Sequence, residues 1–223
     1  MFQRKTPKLQ AQSKCDYNLF YGDVDEIPKD DFTVTSVDPG IKNLAIRVER
    51  RRVDRIETLY FENINLKYDI KTDRINYEVF SLINDVLDNI KDLLDNCHLF
   101  IVERQLGLNY KAIRVSQHII SYFILHSTKS LFNPVVIEIC PKMKGKKLNA
   151  PPNLNKYGLK RWSEEKGEKI LRIRGDRKGL KILETTKGKT DDLTDTILQI
   201  EAFCIICELP LTKKRKKKIV IID

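Results

Sequence analysis

"TVTSVDPGIKNLAIRV", residues 33–48, decides how this chain is read. Val34, Val37, Leu44, Ile46 and Val48 supply the apolar pattern of strands lying in a sheet. Inside that pattern stands a carboxylate, Asp38, followed by Pro39 and Gly40. Proline and glycine after aspartate are ordinary turn chemistry, and for the stretch in isolation that reading suffices. A carboxylate at the end of a strand core gains meaning only if the rest of the chain brings matching chemistry to it.

Outward from this stretch, DFTVTSVDPG, LAIRVERR (44–51) and IETLYFENI (56–64) read as three short strands divided by charged turns, an antiparallel meander. From Thr72 the period changes: Ile75, Val79, Leu82, Ile83, Val86 and Ile90 recur at three and four, which predicts an amphipathic helix over 73–96. HLFIVER (98–104) is a fourth strand, and it too ends in a carboxylate, Glu103. NYKAIRVSQHIISYFILHS (109–127) is a second helix and PVVIEIC (134–140) a fifth strand. TDDLTDTILQIEAFCIICEL (190–209) reads as a last helix, with Thr190 as N-cap and acids in the first turn, where the helix dipole favours them. The order predicts an α/β fold, a five-stranded mixed sheet flanked by helices, occupying residues 32–209. Residues 1–31 read as a flexible basic arm and 210–223, with KKRKKK at 213–218, as a basic tail.

The chain has 223 residues and a formal net charge of +10, which points to an anionic partner, nucleic acid first. No apolar run approaches the roughly 18 residues of a membrane span. Between Lys142 and Lys189 stand sixteen lysines and arginines against five acids, so this one segment carries the excess of the whole chain. Its first part, rich in proline and glycine, reads as a mobile loop, and 159–187 as partly helical. Phosphate contacts are the expected work of residues 141–190, with Lys142, Lys144, Lys147, Lys160, Arg161, Arg172 and Arg174 as DNA-contact candidates. Tyr157 and Trp162, interleaved with basic residues, suit stacking on an unpaired base or packing against the sheet. The five cysteines are scattered and fit reduced thiols; Cys204 and Cys207 form a C-x-x-C inside an apolar helix with no second ligand pair, so packing outweighs zinc binding. His98, His118 and His126 receive no role.

Asp38, Glu103 and the acids opening the last helix, Asp191, Asp192 and Asp195, all stand at the ends of core elements. If the first and fourth strands are neighbours, Asp38 and Glu103 emerge side by side at their carboxyl ends, where the sites of open sheets lie. Converging carboxylates do not all stay ionised unless cations join them. Oxygen-only ligands suit Mg²⁺, with Mn²⁺ as substitute. Two such ions about 4 Å apart are the arrangement that hydrolyses phosphodiesters.

The pattern VDPG at the end of the first strand, a strand-ending glutamate after a helix, and an Asp-x-x-Asp pair on a late helix resemble the RNase H-like nuclease superfamily. SVDPGIKNLA, IVERQ and KTDDLTD look most like the Holliday-junction resolvases typified by RuvC, and among them the poxvirus resolvases. That resemblance implies a Mg²⁺-dependent endonuclease, with two ions per site, that nicks four-way DNA junctions symmetrically as a homodimer. It implies viral concatemer resolution at replication sites in the host-cell cytoplasm, with the virion as a second location, and no membrane partner. It assigns Asp38, Glu103, Asp192 and Asp195 to the metal, the alternative register being Asp191 with Asp195. It also implies a catalytic lysine after the fifth strand, with Lys142, Lys144 and Lys146 as candidates and Lys146 taken for the role. The rival readings are a fungal mitochondrial resolvase, suited by the acid-poor N-terminus, an RNA–DNA hybrid nuclease of the same fold, and a non-catalytic junction-binding scaffold.

Overall fold

The computed structural model describes residues 16–53, 55–66, 75–130, 132–188 and 190–209. The chain forms β1 (Tyr17–Tyr21), a 3-10 turn (Val24–Glu26), β2 (Asp31–Asp38), β3 (Leu44–Arg52), β4 (Ile56–Ile64), α1 (Tyr77–Asn89), α2 (Lys91–Leu94) and β5 (Leu99–Glu103). α3 (Tyr110–Ser127), β6 (Val135–Ile139), α4 (Pro141–Lys147), α5 (Lys156–Arg174), α6 (Arg177–Thr185) and α7 (Asp191–Ile206) follow. The strands make one mixed sheet in the order β1-β6-β5-β2-β3-β4. The meander is present as β2, β3 and β4, antiparallel. β2 and β5 are parallel neighbours, as are β5 and β6.

Helices cover both faces. On one, α1, α2 and α3 pack on Val37, Ile46, Val48, Phe100 and Val102; on the other, α4 to α7 pack on Val34, Ala45, Ile101 and Ile137. Each fully covered aliphatic or aromatic side chain contributes roughly 1.5–3 kcal/mol, so the strand ends are held between two firmly seated layers. α7 is the most enclosed helix: Leu193, Ile197, Ile200 and Phe203 are essentially inaccessible, and Ser36 on β2 donates a 2.6 Å hydrogen bond to Gln199 on α7. α5 closes over α7 at Gly167, where a Cβ would come within 2.8 Å of the Thr194 Cβ.

The same sheet face carries a buried ion-pair network. Arg47 pairs with Glu49 at 2.6 Å and with Asp176 at 2.7 Å; Arg51 pairs with Glu49 at 2.6 Å and with Glu201 at 3.0 Å; Arg174 completes it on Glu201. Three guanidiniums thus meet three carboxylates. The network ties β3 to the C-terminal end of α5, the N-cap of α6 and the middle of α7.

Three expectations change. The sheet has six strands, because Tyr17–Tyr21, inside the expected arm, pairs antiparallel with β6. Its aromatic run YNLFY favours a strand, and Tyr17 packs edge-on against Phe203 at 5.3 Å. Residues 1–15 of that arm and the tail 210–223 lie outside the described residues. The helix expected at 73–96 is broken at Ile90, whose backbone (φ −110°, ψ 15°) is not helical, into α1 and α2; residues 73 and 74 lie outside the described set. The expected mobile loop opening 141–190 begins as helix α4. Pro141 occupies its first turn, where the missing N–H costs nothing, and its last turn holds lysines that suit the negative end of the dipole. α5 and α6 are capped by Asn155 and Asp176, whose side chains accept hydrogen bonds from the backbone N–H of Gly158 and Gly179.

Candidate metal centre

Asp38 is the last residue of β2, and the DPG turn after it is tight: a Cβ on Gly40 would stand 2.3 Å from the Asn43 carbonyl oxygen. That close approach is why glycine follows. In the parallel pairing of β2 with β5, Val37 stands opposite Val102, so Asp38 and Glu103 leave the sheet together at its carboxyl edge. Both belong to the face covered by α7, which runs in with its N-terminus toward this edge. One carboxylate oxygen from each of Asp38, Glu103 and Asp195 lies within 4.8 Å of the others, the only such cluster of three or more His, Cys, Asp or Glu ligand atoms among the described residues.

One cation stands among them. Lys144 Nζ is 2.7 Å from Glu103 Oε1 and 2.7 Å from Asp195 Oδ2, and its side chain is 9% exposed. Three carboxylates against one ammonium leave the group two formal charges negative. Burial pushes the Asp38 carboxyl well above the usual carboxylate range, and the charges of Glu103 and Asp195 push it further than Lys144 draws it back. Burial works against the Lys144 ammonium, but the carboxylates of Glu103, Asp195 and Asp38 outweigh it and hold its proton more firmly than in an ordinary lysine. Glu103 Oε1 is buried and lies at ion-pair distance from the lysine, yet without hydrogen-bond geometry. A buried, all-oxygen donor set with surplus negative charge and an oxygen not engaged by a hydrogen bond fits a hard divalent cation. Asp38, Glu103 and Asp195 are the residues that would hold it.

α5 supports this edge. Ser163, buried, donates a 2.5 Å hydrogen bond to Asp195 Oδ1; Lys160 pairs with Asp191; Thr190 donates to Glu164 at 3.0 Å. Asp191 is therefore engaged by α5, and Asp192, partly exposed, stands outside the three-carboxylate cluster. Lys146 does not reach the centre: its side chain is 69% exposed and its Nζ lies 3.9 Å from Asp16. The lysine that enters is Lys144, because residues two apart on a helix face opposite sides and only one of them can face the sheet edge. Reading 141–147 as loop hid that constraint; Pro141 at a helix start was the available signal.

Among the DNA-contact candidates, Lys142, Arg161 and Arg172 face solvent, the last two in pairs with Glu165 and Glu168. Lys147 is partly covered, 3.9 Å from Asp16. Lys160 stands at the rim of the centre on Asp191. Arg174 is engaged inside the fold on Glu201 and is 9% exposed, so it is not on the outer basic face. Trp162 packs against the core, whereas Tyr157 is 83% exposed. Cys204 is buried in the core and Cys207 packs against it, as thiols that fill space do.

No protein-family profile matches the sequence. Uncharacterised protein 97L of invertebrate iridescent virus 3 is 27% identical over a 216-residue alignment that covers 76% of this chain and 98% of that one. Among solved structures, Thermus thermophilus RuvC with a Holliday-junction substrate is similar at TM-score 0.51 and 15% identity over 78% of this chain and 96% of that one. The fowlpox virus resolvase with its substrate Holliday junction is similar at TM-score 0.50 and 19% identity over 76% and 95%. At such identities the likeness is one of architecture: this chain has the RNase H-like fold of the RuvC-type resolvases.

Proposed function

We propose that this chain is a metal-dependent endonuclease that resolves four-way DNA junctions by paired, symmetric nicks, acting as a homodimer on branched viral DNA in the host-cell cytoplasm. The observation that carries the reading is the meeting of Asp38, Glu103 and Asp195 at the carboxyl edge of a RuvC-type sheet, two charges short of balance. Mg²⁺ is the proposed ion, two per site, with Asp192, one turn before Asp195 on α7, as the fourth carboxylate. Bound there, the ions supply the acidity that activates water and stabilises a leaving 3′-oxygen.

The side chains do the rest. The three carboxylates would hold the ions at the sheet edge where the scissile phosphate arrives. Lys144, 2.7 Å from Glu103 and from Asp195, offsets their mutual repulsion and would supply a positive charge near the scissile phosphate. No histidine takes part, so the leaving oxygen receives its proton from water. The outer basic residues Lys142, Arg161 and Arg172 bind phosphates without reading bases, and shape selects the junction. Twofold symmetry suits a substrate with two opposed strands to cut. The iridovirus relative supports a viral setting over the mitochondrial one.

The test is incubation with a synthetic mobile four-way junction, a linear duplex and an RNA–DNA hybrid, with Mg²⁺ or EDTA, and mapping of strand ends. Symmetric nicks in the junction alone, with 5′-phosphates and only with metal, are expected. Cutting of the hybrid in preference to the junction, or junction binding without any metal-dependent cutting by the native chain, overturns the proposal.

A further inference from the structure

We infer that Ser163 on α5 is the positioning residue for Asp195, setting the carboxylate's orientation toward the divalent ion; this rests on the metal-centre reading above. Asp195 has two oxygens with different partners. Oδ2 faces Lys144 Nζ at 2.7 Å, at the centre. Oδ1 accepts the 2.5 Å hydrogen bond of the Ser163 hydroxyl, a length typical of a hydroxyl donating to a carboxylate. The serine thereby fixes rotation about the last bond of the aspartate, which is otherwise a broad, twofold torsion.

The local architecture serves this contact. Ser163 is 5% exposed, in a helix whose mean character is strongly polar, and its neighbour across the interface is Thr194, at 3.5 Å between hydroxyls. One turn on, at the same face of α5, Gly167 lies against Thr194 with no room for a Cβ. Any larger residue at 167 would lift α5 from α7 and stretch the Ser163 bond. Lys160, one turn before, holds Asp191, and Glu164 holds Thr190. Four polar contacts and one close glycine thus register α5 on the first turns of α7, and only the Ser163–Asp195 contact ends on a residue of the metal centre. Asp38 and Glu103 are placed by strands; Asp195, on a helix, is placed by its neighbour helix.

The experiment is Mn²⁺ titration of the full chain by electron paramagnetic resonance, with thermal melts in EDTA, on the native protein, Ser163→Ala and Thr190→Val. Thr190→Val removes a contact of the same helix pair that does not touch Asp195. Ser163→Ala is expected to weaken Mn²⁺ binding by roughly 10–100-fold, the usual effect of losing a hydrogen bond behind a metal ligand, while Thr190→Val leaves it within about twofold. Mn²⁺ affinity of Ser163→Ala within about twofold of native, or an equal loss in both variants, overturns the inference and leaves the metal centre standing. Failure of the native chain to bind Mn²⁺ at all overturns both.

Discussion

On one face of the sheet, Arg47, Arg51 and Arg174 meet Glu49, Asp176 and Glu201, while at its carboxyl edge Asp38, Glu103 and Asp195 meet a single lysine. Both groups lie in the protein interior or at its margin, and α7 contributes to both. Burial raises the cost of ionising any carboxyl in either place. At Asp176 and Glu201 the neighbouring guanidiniums win, and both carboxyls are held below their ordinary range. At Asp38 burial and two like charges win, and the carboxyl is pushed up. The fold can balance buried charge when the purpose is to seat helices on a strand. Where it leaves the balance incomplete, neutralising charge comes from outside: a proton on Asp38 or, in the function proposed above, a divalent cation.

The largest effect that tests this contrast is Asp38→Asn. Junction cutting should fall on the order of 10³-fold or more, with junction binding retained, in gel-shift and nicking assays on the same preparation. The metal-free protein should melt at the same temperature or a few degrees higher, since a repelled charge has been removed. A large drop in melting temperature would mean that Asp38 belongs to the balanced class instead.

Next comes Arg47→Met, which leaves Glu49 and Asp176 without their shared partner. Removing one member of a buried pair costs about 3–5 kcal/mol, and at 2–4 °C per kcal/mol for a chain of this size the melting temperature should fall about 10 °C, with or without metal. The pH profile in EDTA separates the two groups by sign. The folded state of Asp38 prefers the proton, so its ionisation costs stability as pH rises above about 4. Asp176 and Glu201 stabilise when ionised, and that contribution is lost as pH falls below about 4. Asp38→Asn should therefore remove the loss on rising pH, and Arg47→Met the Asp176 share of the loss on falling pH, the Glu201 share staying with Arg51 and Arg174.

Lys144→Gln tests whether the lone ammonium competes with metal. Two unit charges about 4 Å apart repel by about 1 kcal/mol even in water, so Mn²⁺ should bind at least about fivefold tighter while cutting slows. Weaker Mn²⁺ binding would make the lysine a structural part of the site. The smallest effect is expected at Arg161→Ala, on the outer face. An exposed i,i+4 pair with Glu165 is worth about 0.5 kcal/mol or less, so stability should hold, while the salt slope of junction binding should shrink by about one.

Much of the fold was legible in the chain. The short apolar-patterned strands β2, β3 and β4 between charged turns, the three-and-four spacing of α1 and the apolar runs of β5 and β6 each announce their element through a local pattern. So did Asp38 and Glu103, because a carboxylate ending an apolar run is visible wherever the run is. β1 was missed because five residues on an edge are too few to stand out in a polar stretch. α4 was missed because proline, glycine and lysine suggest loop, although proline is at home in a first helical turn. The burial of Arg47, Glu49 and Arg51 could not be read from the chain, since alternation in sequence tells which residues share a side and not what covers that side.

The sequence by itself determined which residue types were available and in what order: acids at the ends of two strands and at the head of a helix, and a basic segment between them. The tertiary structure alone decided which of those acids meet, which lysine joins them, and which arginines are engaged inside. Those choices depend on helix phase and on packing between elements far apart in the chain. Asp195 rather than Asp192 reaches the cluster because α7 is rotated by its seat on β2 and α5. Lys144 rather than Lys146 enters because a helix turns 100° per residue and the sheet edge accepts one side only.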